Sequence, residues 1–341
     1  MVSNGSLDIE DKDQLVSYLQ SQQLIQTDEH VEIELLVGGV SNKTMLVTRQ
    51  NRTQWVIKQA LEKLRVNVDW FSDSIRIHRE AAGLRWLEHT LPEGHIPSPI
   101  FDDHENHIIG MLAIPQPHEN WKERLLQGKV EQTLVKQFAQ ILAQIHSSPI
   151  EDKSLKTLLQ DRTFFESLRV EPYYLFSAEQ APQANQFIQT LVSKTRARQL
   201  TVVHGDYSPK NVLIYQNKLV ILDYEVIHIG DPAFDLGFSL THFLSKAHHV
   251  QHQRQAFLDA ALIYWQTYIN TYQDIKDDEL ELLVIQHTLA CLLARVVGRS
   301  VLEYLDSTER KRQKQIILEL MNTHILSVTH LIELFSKQLE K

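Results

Sequence analysis

The sequence contains a single cysteine, Cys291, among its 341 residues. One thiol cannot form an internal disulfide, and it excludes a metal site built from several cysteines. Cys291 lies in the apolar run from Leu289 to Val297, so we expect a small buried residue rather than a reactive thiol. A chain of this length can bury a large core without cross-links.

Long apolar runs and targeting segments are also missing. No uncharged apolar stretch approaches the roughly 18 residues that a membrane span needs. The segment from Met1 to Asp13 is polar and acidic, without the positive start and apolar core of a targeting signal. We find no internal repeat and no low-complexity tract. We therefore expect a cytoplasmic monomer or homodimer that does not bind a membrane.

The sequence has fewer positively charged than negatively charged residues. Lysine and arginine number 34 against 43 aspartate and glutamate residues, which gives a net charge of −9. Proteins that bind nucleic acids usually carry a basic surface, so we do not expect a nucleic-acid partner. A small phosphate-bearing ligand remains compatible with this charge, because it needs only a few local cations.

The order of the predicted elements indicates the fold class. Residues Val31, Ile33, Leu35 and Val37 alternate with polar residues, as in a half-buried strand. Further strands are predicted over 44–49, 55–58 and 107–114, and a helix over 74–89. Later come an amphipathic helix over 130–146, short strands over 200–203, 212–215 and 219–222, and helices from about 234 onward. Strands first and helices later predict an α+β chain of two lobes, divided near Pro115–Pro117.

The most informative polar residues follow two apolar strands in the segment 200–237. The first strand ends in His204-Gly205-Asp206, and the second ends in Asp223. Carboxylates placed directly after buried strands are held rigidly, which suits chemistry in which a misplacement of about 1 Å is costly. Asn211 follows Asp206 in the same loop. Together Asp206, Asn211 and Asp223 offer the hard oxygen ligands that Mg²⁺ takes along with substrate phosphates.

Two unusual charges occur in the first third of the chain. Lys58 follows the apolar run from Trp55 to Ile57, where an ammonium group is costly unless it is paired. Glu80 lies on the apolar face of the next predicted helix, which is equally unusual for a glutamate. An ion pair between Lys58 and Glu80 explains both positions. The alternative is that Lys58 extends to solvent from an edge strand and that Glu80 faces solvent.

These motifs resemble the small-molecule branch of the protein-kinase-like fold. The spacing His204-x-Asp206-x4-Asn211, followed by Asp223, is similar to the catalytic loop and the metal-binding aspartate of that fold. The later Gly-Asp-Pro-x-x-Asp-Leu-Gly, from 230 to 237, resembles aminoglycoside phosphotransferases, choline kinases, homoserine kinases and 5-methylthioribose kinases. The N-terminal part looks most like that of methylthioribose kinase. The resemblance implies a β-rich nucleotide-binding lobe over 1–114 and a mainly helical catalytic and substrate lobe over 115–341.

The resemblance also implies roles for individual residues. Asp206 would orient or deprotonate an acceptor hydroxyl, with His204 and Lys210 in the same catalytic group, and Asp235 would brace the loop with His204. Asn211 and Asp223 would bind Mg²⁺. ATP would be held by the Lys58–Glu80 pair, by the backbone at Leu112 and Ile114 near adenine, and by the glycine-containing loop between the first two strands. The residues of that loop are Gly38, Gly39, Ser41 and Asn42. Without the other motifs, this loop would be an ordinary β-turn.

The acceptor is expected between the catalytic loop and the later helices. The candidate residues are Trp121, Tyr173, Tyr174, Glu225, Arg295 and Arg299. Arg295 and Arg299 are four residues apart, so on one helix they would project from the same face and could grip a carboxylate or phosphate. The alternatives are a surface arginine pair bridging to Glu303 or Asp306, and tyrosines that belong to the core.

The sequence thus predicts an ATP- and Mg²⁺-dependent phosphotransferase acting on a hydroxyl of a small molecule, such as a sugar, an amino alcohol or an aminoglycoside-like compound. One alternative is a kinase-shaped binding protein without turnover. Another is a metal-dependent hydrolase using His204, Asp206, Asp223 and His228, although no His-x-His or His-Glu-x-x-His spacing supports it.

Overall fold

The protein consists of an antiparallel sheet followed by a large helical region. The structure, a computed structural model, describes residues 7–36, 39–65, 69–272 and 277–341. The first third contains helices α1 (Lys12–Ser21) and α2 (Arg76–Thr90) and strands β1 (Glu32–Leu35), β2 (Asn42–Thr48), β3 (Gln54–Ala60), β4 (Pro99–Asp103) and β5 (Ile108–Leu112). The expected α+β class and the order of sheet before helices are confirmed.

The strands pair in the order β1-β2-β3-β5-β4, and every pair is antiparallel. The alternation of side chains along the central strand β3 separates its two faces. Trp55 and Ile57 pack with Leu15 and Leu19 of α1 in a small apolar cluster. Lys58 points to the opposite face, where α2 packs on the sheet. The helix α1 was not predicted from the sequence.

The rest of the chain is mainly helical, with two small sheets in the middle. The small strands are β6 (Glu119–Asn120), β7 (Thr201–Val203), β8 (Val212–Tyr215), β9 (Lys218–Ile221) and β10 (His228–Gly230). The helices are α3 (Trp121–Leu126), α4 (Gln132–Ser147), α5 (Lys153–Gln160), α6 (Thr163–Phe165), a π-helix (Glu166–Leu175), α7 (Phe176–Gln180), α8 (Asn185–Ala197), α9 (Pro232–His249), α10 (Arg254–Thr271), α11 (Leu280–Val297), α12 (Ser307–Leu320) and α13 (Val328–Glu340).

Among the described residues one helix, α11, is long and apolar enough by composition to cross a membrane. However, 78% of its 18 residues are buried inside the protein. It packs tightly against α9, where a Cβ atom on Gly237 would lie only 2.6 Å from Cβ of His287. The apolar composition of α11 is therefore that of a central core helix.

The main hydrophobic core extends across the predicted lobe boundary. It joins Ile109 and Met111 of β5 to Trp121 of α3 and Phe138 of α4. The division into residues 1–114 and 115–341 stays a prediction about organisation, since this core does not stop at residue 114.

Candidate active site

A cleft with two chambers lies between the five-stranded sheet and the loops around β8 and β9. The apolar chamber has a volume of about 340 Å³ and the polar chamber about 650 Å³. Both chambers are lined by Leu36, Thr44, Lys58, Leu222 and Asp223, so they form one continuous cleft. Leu112 and Ile114, which the resemblance placed near adenine, line the apolar chamber. Leu46, Val56 and Leu213 line it as well, and the sequence did not single them out.

The structure brings Lys58 and Glu80 together at the junction of the chambers. Nζ of Lys58 lies 2.7 Å from Oε1 of Glu80, whose side chain is 1% exposed. Because β3 is the central strand, the alternative in which Lys58 reaches solvent from an edge is wrong. Burial opposes the charge on the lysine, but the carboxylates of Glu80 and Asp223 outweigh it and raise the pKa of Lys58 above its usual value. The cleft therefore keeps a charged ammonium group.

The backbone of the loop after β7 is fixed by a buried carboxylate. Asp235 at the start of α9 accepts hydrogen bonds from the backbone N–H groups of His204 at 2.7 Å and Gly205 at 2.9 Å. Gly205 has φ of +79°, and a Cβ atom there would lie 2.7 Å from Cγ1 of Val226. Only glycine fits such a conformation and such a close approach. This rigid turn sets the direction of the Asp206 side chain.

His204 acts as a brace rather than as a group that meets a substrate. Its Nδ1 accepts a hydrogen bond from the backbone N–H of Asp206 at 3.1 Å, and its Nε2 donates to the carbonyl of Leu222 at 3.2 Å. The imidazole is fully buried and is not part of the cleft lining. Its assignment to the catalytic group is corrected: His204 is a positioning residue that joins the two loops.

Asp206 faces the polar chamber between two cations. Its Oδ2 lies 3.0 Å from Nη2 of Arg169 and 3.0 Å from Nζ of Lys210, and it accepts a hydrogen bond from Nδ2 of Asn211 at 2.8 Å. Burial alone would favour the neutral acid, but Arg169 and Lys210 hold the pKa of Asp206 well below its usual range. The carboxylate is therefore ionised at neutral pH.

Arg169 is a site residue that the sequence analysis missed. It projects from the π-helix, and its Nε also donates to the carbonyl of Gly205 at 2.6 Å. The signal was present in the sequence, because Arg169 is an isolated cation between the apolar residues Leu168 and Val170. An arginine in such a run needs a buried partner.

Several oxygen atoms in the polar chamber suit a hard divalent cation. Oδ1 of Asp206 and Oδ1 of Asp223 are both buried and have no hydrogen-bond partner among the described residues. Asn211 lines the chamber beside them. Asp223 has φ of +71°, a conformation that costs energy for a non-glycine residue and is frequent at functional sites. Two free carboxylate oxygens with a neighbouring amide match the ligand preference of Mg²⁺.

The covering loop, as we call residues 39–42 ahead of and at the start of β2, lines the polar chamber. Gly38 lies outside the described residues, whereas Gly39, Ser41 and Asn42 line the chamber. A second residue missed from the sequence, Arg76, is fully buried under this loop and donates to the carbonyl of Ser41.

Glu225 ties the covering loop to the segment that carries Asp223. Its Oε2 lies 3.2 Å from Nε of Arg76 and accepts a hydrogen bond from Nδ2 of Asn42 at 3.3 Å. Glu225 was predicted as an acceptor-binding residue. It does line the polar chamber, but this carboxylate oxygen is already occupied by the covering loop.

Two of the aromatic acceptor candidates are corrected. Tyr174 is fully buried, and its hydroxyl lies 2.6 Å from Nδ1 of His287 and 3.4 Å from Sγ of Cys291. Trp121 is fully buried as well and packs edge-on against Phe138. Both belong to the core, which for Tyr174 is the alternative given above and for Trp121 was not anticipated. Tyr173 does line the polar chamber.

The expectation that Arg295 and Arg299 share a helix is also wrong. The helix α11 ends at Val297, and Gly298 continues in an extended conformation with ψ of −177°. Arg299 therefore lies beyond the helix end and lines the polar chamber, while Arg295 is buried behind Tyr173 with its guanidinium 4.7 Å from that ring centre.

The histidines proposed for a metal-dependent hydrolase are already engaged. Both ring nitrogens of His204 make hydrogen bonds within the protein. His228 is buried, its Nδ1 donates to the carbonyl of Val226 at 2.8 Å, and burial lowers its pKa to about 4. The arrangement argues against histidine ligation and leaves carboxylate oxygens, among them those of Asp206 and Asp223, as the donors in the cleft.

Comparison with known proteins agrees with this geometry. The profile of the phosphotransferase enzyme family (APH) matches residues 32–275. No curated protein matches the chain. The solved structures similar to this chain include a choline/ethanolamine kinase family protein from Mesorhizobium loti, with a TM-score of 0.53, 13% identity, and coverage of 96% of this chain and 99% of that chain.

Two further structures have the same fold. The choline kinase from Cryptosporidium parvum gives a TM-score of 0.55 at 11% identity, covering 91% of this chain and 95% of that one. The gentamicin complex of APH(2")-IIa gives a TM-score of 0.51 at 17% identity, covering 96% of this chain and 99% of that one. The protein-kinase-like fold expected from the sequence is confirmed. Since the family profile spans the sheet, the Lys58–Glu80 pair and the loops that carry Asp206 and Asp223, the chain belongs to the phosphotransferase enzyme family.

Proposed function

We propose that the protein transfers the γ-phosphoryl group of ATP to a hydroxyl group of a small metabolite, with Mg²⁺ as its cofactor. The observation that carries this proposal is the pair of free, buried carboxylate oxygens on Asp206 and Asp223, in the same chamber as the ammonium group of Lys58. Membership of the phosphotransferase family supports the reaction class.

The two chambers suit the two ends of ATP. The apolar chamber would receive the adenine base against Leu112 and Ile114, and Lys58 would contact the phosphates. The covering loop, at Ser41 and Asn42, would lie over those phosphates. The structure of a ternary complex of streptomycin, ATP and APH(2")-IIa, with a TM-score of 0.50, 17% identity, and coverage of 84% of this chain and 90% of that chain, supports ATP as the donor.

In the proposed reaction the acceptor oxygen forms a bond to the γ-phosphorus while the bond from that phosphorus to the β–γ bridging oxygen breaks. ADP leaves, and the hydroxyl proton passes to Asp206. The protein mainly supplies position and charge neutralisation, as in other phosphoryl transfers. Asp223 and Asn211 would hold Mg²⁺, which neutralises charge on the phosphates when it is bound. Use of ATP agrees with a cytoplasmic location, which stays a prediction.

The test combines a binding measurement with a turnover measurement. Calorimetric titration with a non-hydrolysable ATP analogue, with Mg²⁺ or with EDTA, should give metal-dependent binding that Asp223→Asn abolishes. ADP release should be followed with water and with a panel of hydroxyl compounds as acceptors. Asp206→Asn should retain analogue binding and lower turnover by roughly 10²–10⁴-fold. The exposed Asp28→Asn serves as the matched control.

Two results would contradict the proposal in different ways. Equal turnover in wild type and Asp206→Asn would remove that carboxylate from the reaction. Metal-dependent binding of the analogue without any ADP release from water or from the panel would favour the alternative of a kinase-shaped binding protein without turnover.

A further inference from the structure

Cationic side chains outnumber carboxylates at one end of the polar chamber. The acceptor end, as we call it, lies beyond Asp206 and is lined by Asn120, Lys122, Glu123, Arg169, Tyr173, Lys210, Arg299, Ser300 and Glu303. Lys122 pairs with Glu303, while Arg169 and Lys210 share the one carboxylate of Asp206. The guanidinium of Arg299 stacks on a phenylalanine ring at 5.2 Å and has no ion pair within the described ranges.

Two more cations lie behind this wall and are almost completely buried. Arg295 is 4% exposed, and its Nη1 donates to the carbonyl of Ser300 at 2.9 Å. Nε of Arg295 is buried and finds no acceptor in the part of the chain that the structure describes. Lys246 is 0% exposed, and among the described residues its Nζ makes one long hydrogen bond of 3.4 Å to the carbonyl of His242 and lies 5.4 Å from the ring centre of Tyr304. Neither cation forms an ion pair with a described carboxylate.

Buried cations without a counter-charge are costly. Burial, with repulsion from Lys122, lowers the pKa of Lys246 to about 7. Burial next to Arg295 lowers the pKa of His242 well below its usual value. The carboxylate of Glu303 faces both Lys246 and Arg295 but is already paired with Lys122. Four cations (Lys122, Arg169, Lys210 and Arg299) face three carboxylates (Asp206, Glu123 and Glu303) here, with Arg295 and Lys246 behind them, so the acceptor end is electropositive in a chain whose net charge is −9.

We propose that the phosphate acceptor carries an anionic oxygen group, a carboxylate or a phosphate, close to the hydroxyl that is phosphorylated. This inference rests on the proposed function and names the class of its acceptor. Arg299 and Lys122 bind the anionic group from within the cleft through charge-assisted hydrogen bonds. Arg295 strengthens the positive potential from behind Tyr173, and Lys246 strengthens it from its buried position beside Tyr304, where the low-dielectric wall focuses the potential. A polycationic acceptor would meet like charge at this end.

The experiment measures anion binding with the nucleotide site already filled. Wild-type protein is saturated with Mg²⁺ and a non-hydrolysable ATP analogue, and its melting temperature is then followed during titration with methylphosphonate or with acetate. Sodium chloride at matched ionic strength and choline chloride are the reference titrations. A ligand of the folded state raises the melting temperature by mass action. Methylphosphonate and acetate distinguish a phosphate-like group from a carboxylate.

We expect a saturable rise with at least one of the two anions and none with the reference salts. Arg299→Gln should weaken the apparent affinity at least tenfold, and Lys246→Met should weaken it several-fold without changing analogue binding. The exposed Arg85→Gln, which lies on α2 away from this end, is the matched control. If the melting temperature does not change with either anion, or rises equally in Arg299→Gln and in wild type, the inference is overturned. The proposed function still stands in that case, provided that the ATP analogue binds. Failure of the analogue to bind would instead overturn the proposed function.

Discussion

The guanidinium of Arg169 lies 3.0 Å from Oδ2 of Asp206, so the proposed base is paired with a buried cation. Removing that charge in Arg169→Met should raise the pKa of Asp206, because burial favours the neutral acid and Lys210 would then be the only described cation next to the carboxylate that favours the ionised form. Asp206 would be protonated at higher pH, and the acidic limb of the kcat/KM profile should move upward by about one to three pH units. Arg169→Lys, which keeps the charge, should shift the limb less. An unchanged acidic limb in Arg169→Met would show that this pair does not tune the base.

The turn at Gly205 offers a sharp test of backbone geometry. Gly205→Ala combines a φ of +79° with a contact of 2.7 Å to Cγ1 of Val226, whereas Gly94→Ala has a φ of +90° with its nearest contact, Cδ of Lys218, at 3.9 Å. We expect Gly94→Ala to lower the free energy of unfolding by about 1 kcal/mol. Gly205→Ala should lower it by roughly 1–3 kcal/mol more, because the side chain of Val226 and its carbonyl oxygen, 2.9 Å from the new Cβ, must both move. Urea unfolding of both variants measures the difference, and equal losses would mean that the contact with Val226 relaxes freely.

The sequence predicted the parts of the fold that depend on local pattern and on unusual charges. The strands β2 and β3 and the apolar stripe of α4 follow from local pattern, whereas Leu35, expected on the half-buried face of β1, is 49% exposed. The Lys58–Glu80 contact was predictable because a charge on a buried strand and a charge on an apolar helix face are each unfavourable without the other. Gly205 and Asp235 lie in motifs whose resemblance to a known family already implied a fixed loop.

Arg76 should be essential for the covering loop of the cleft. It is fully buried and donates to the carbonyls of Ser41, Leu61, Ser72 and Asp73 besides contacting Glu225. Arg76→Met leaves Glu225 buried without its cation, so the free energy of unfolding should fall by about 3–5 kcal/mol.

A double variant separates the ion pair from the other contacts of Arg76. Adding Glu225→Gln to Arg76→Met should restore part of the lost stability, since the uncompensated charge is removed. Urea unfolding gives the coupling energy between the two sites. Additive losses would show that Arg76 acts only through the backbone carbonyls, and calorimetry with the ATP analogue would then report how far the covering loop has loosened.

What the sequence could not predict depends on where distant segments meet. The contact of Arg169 with Gly205 joins residues 36 positions apart through a π-helix, and no local pattern specifies that geometry. Arg295 and Arg299 have helical spacing, yet the helix ends before Arg299 because Gly298 leaves the helical conformation, with ψ of −177°. The helix α1 depends on packing against Trp55, so its short polar sequence gives only a weak signal.

Lys246 should give the stability of the protein a distinctive pH dependence. Burial lowers its pKa in the folded protein to about 7 from an ordinary value of 10.5. Between these pH values the unfolded chain binds the proton more tightly than the folded one, so this lysine makes stability rise as pH increases from about 7 towards 10.5. Replacing it by methionine of similar length removes the cost of the buried charge. Lys246→Met should therefore be more stable than wild type at pH 7, by roughly 1–4 kcal/mol.

The size of that advantage should itself change with pH, which separates the charge from side-chain packing. At pH 9.5 the wild-type lysine is mostly neutral when folded, so urea unfolding should show the advantage of Lys246→Met shrinking relative to pH 7. The exposed Lys12→Met provides the control, because an exposed lysine on α1 should show no comparable change between the two pH values. A constant difference between wild type and Lys246→Met at both pH values would mean that the lysine keeps its proton inside the fold. Its charge at neutral pH would then be balanced by a group other than the carboxylate of Glu303.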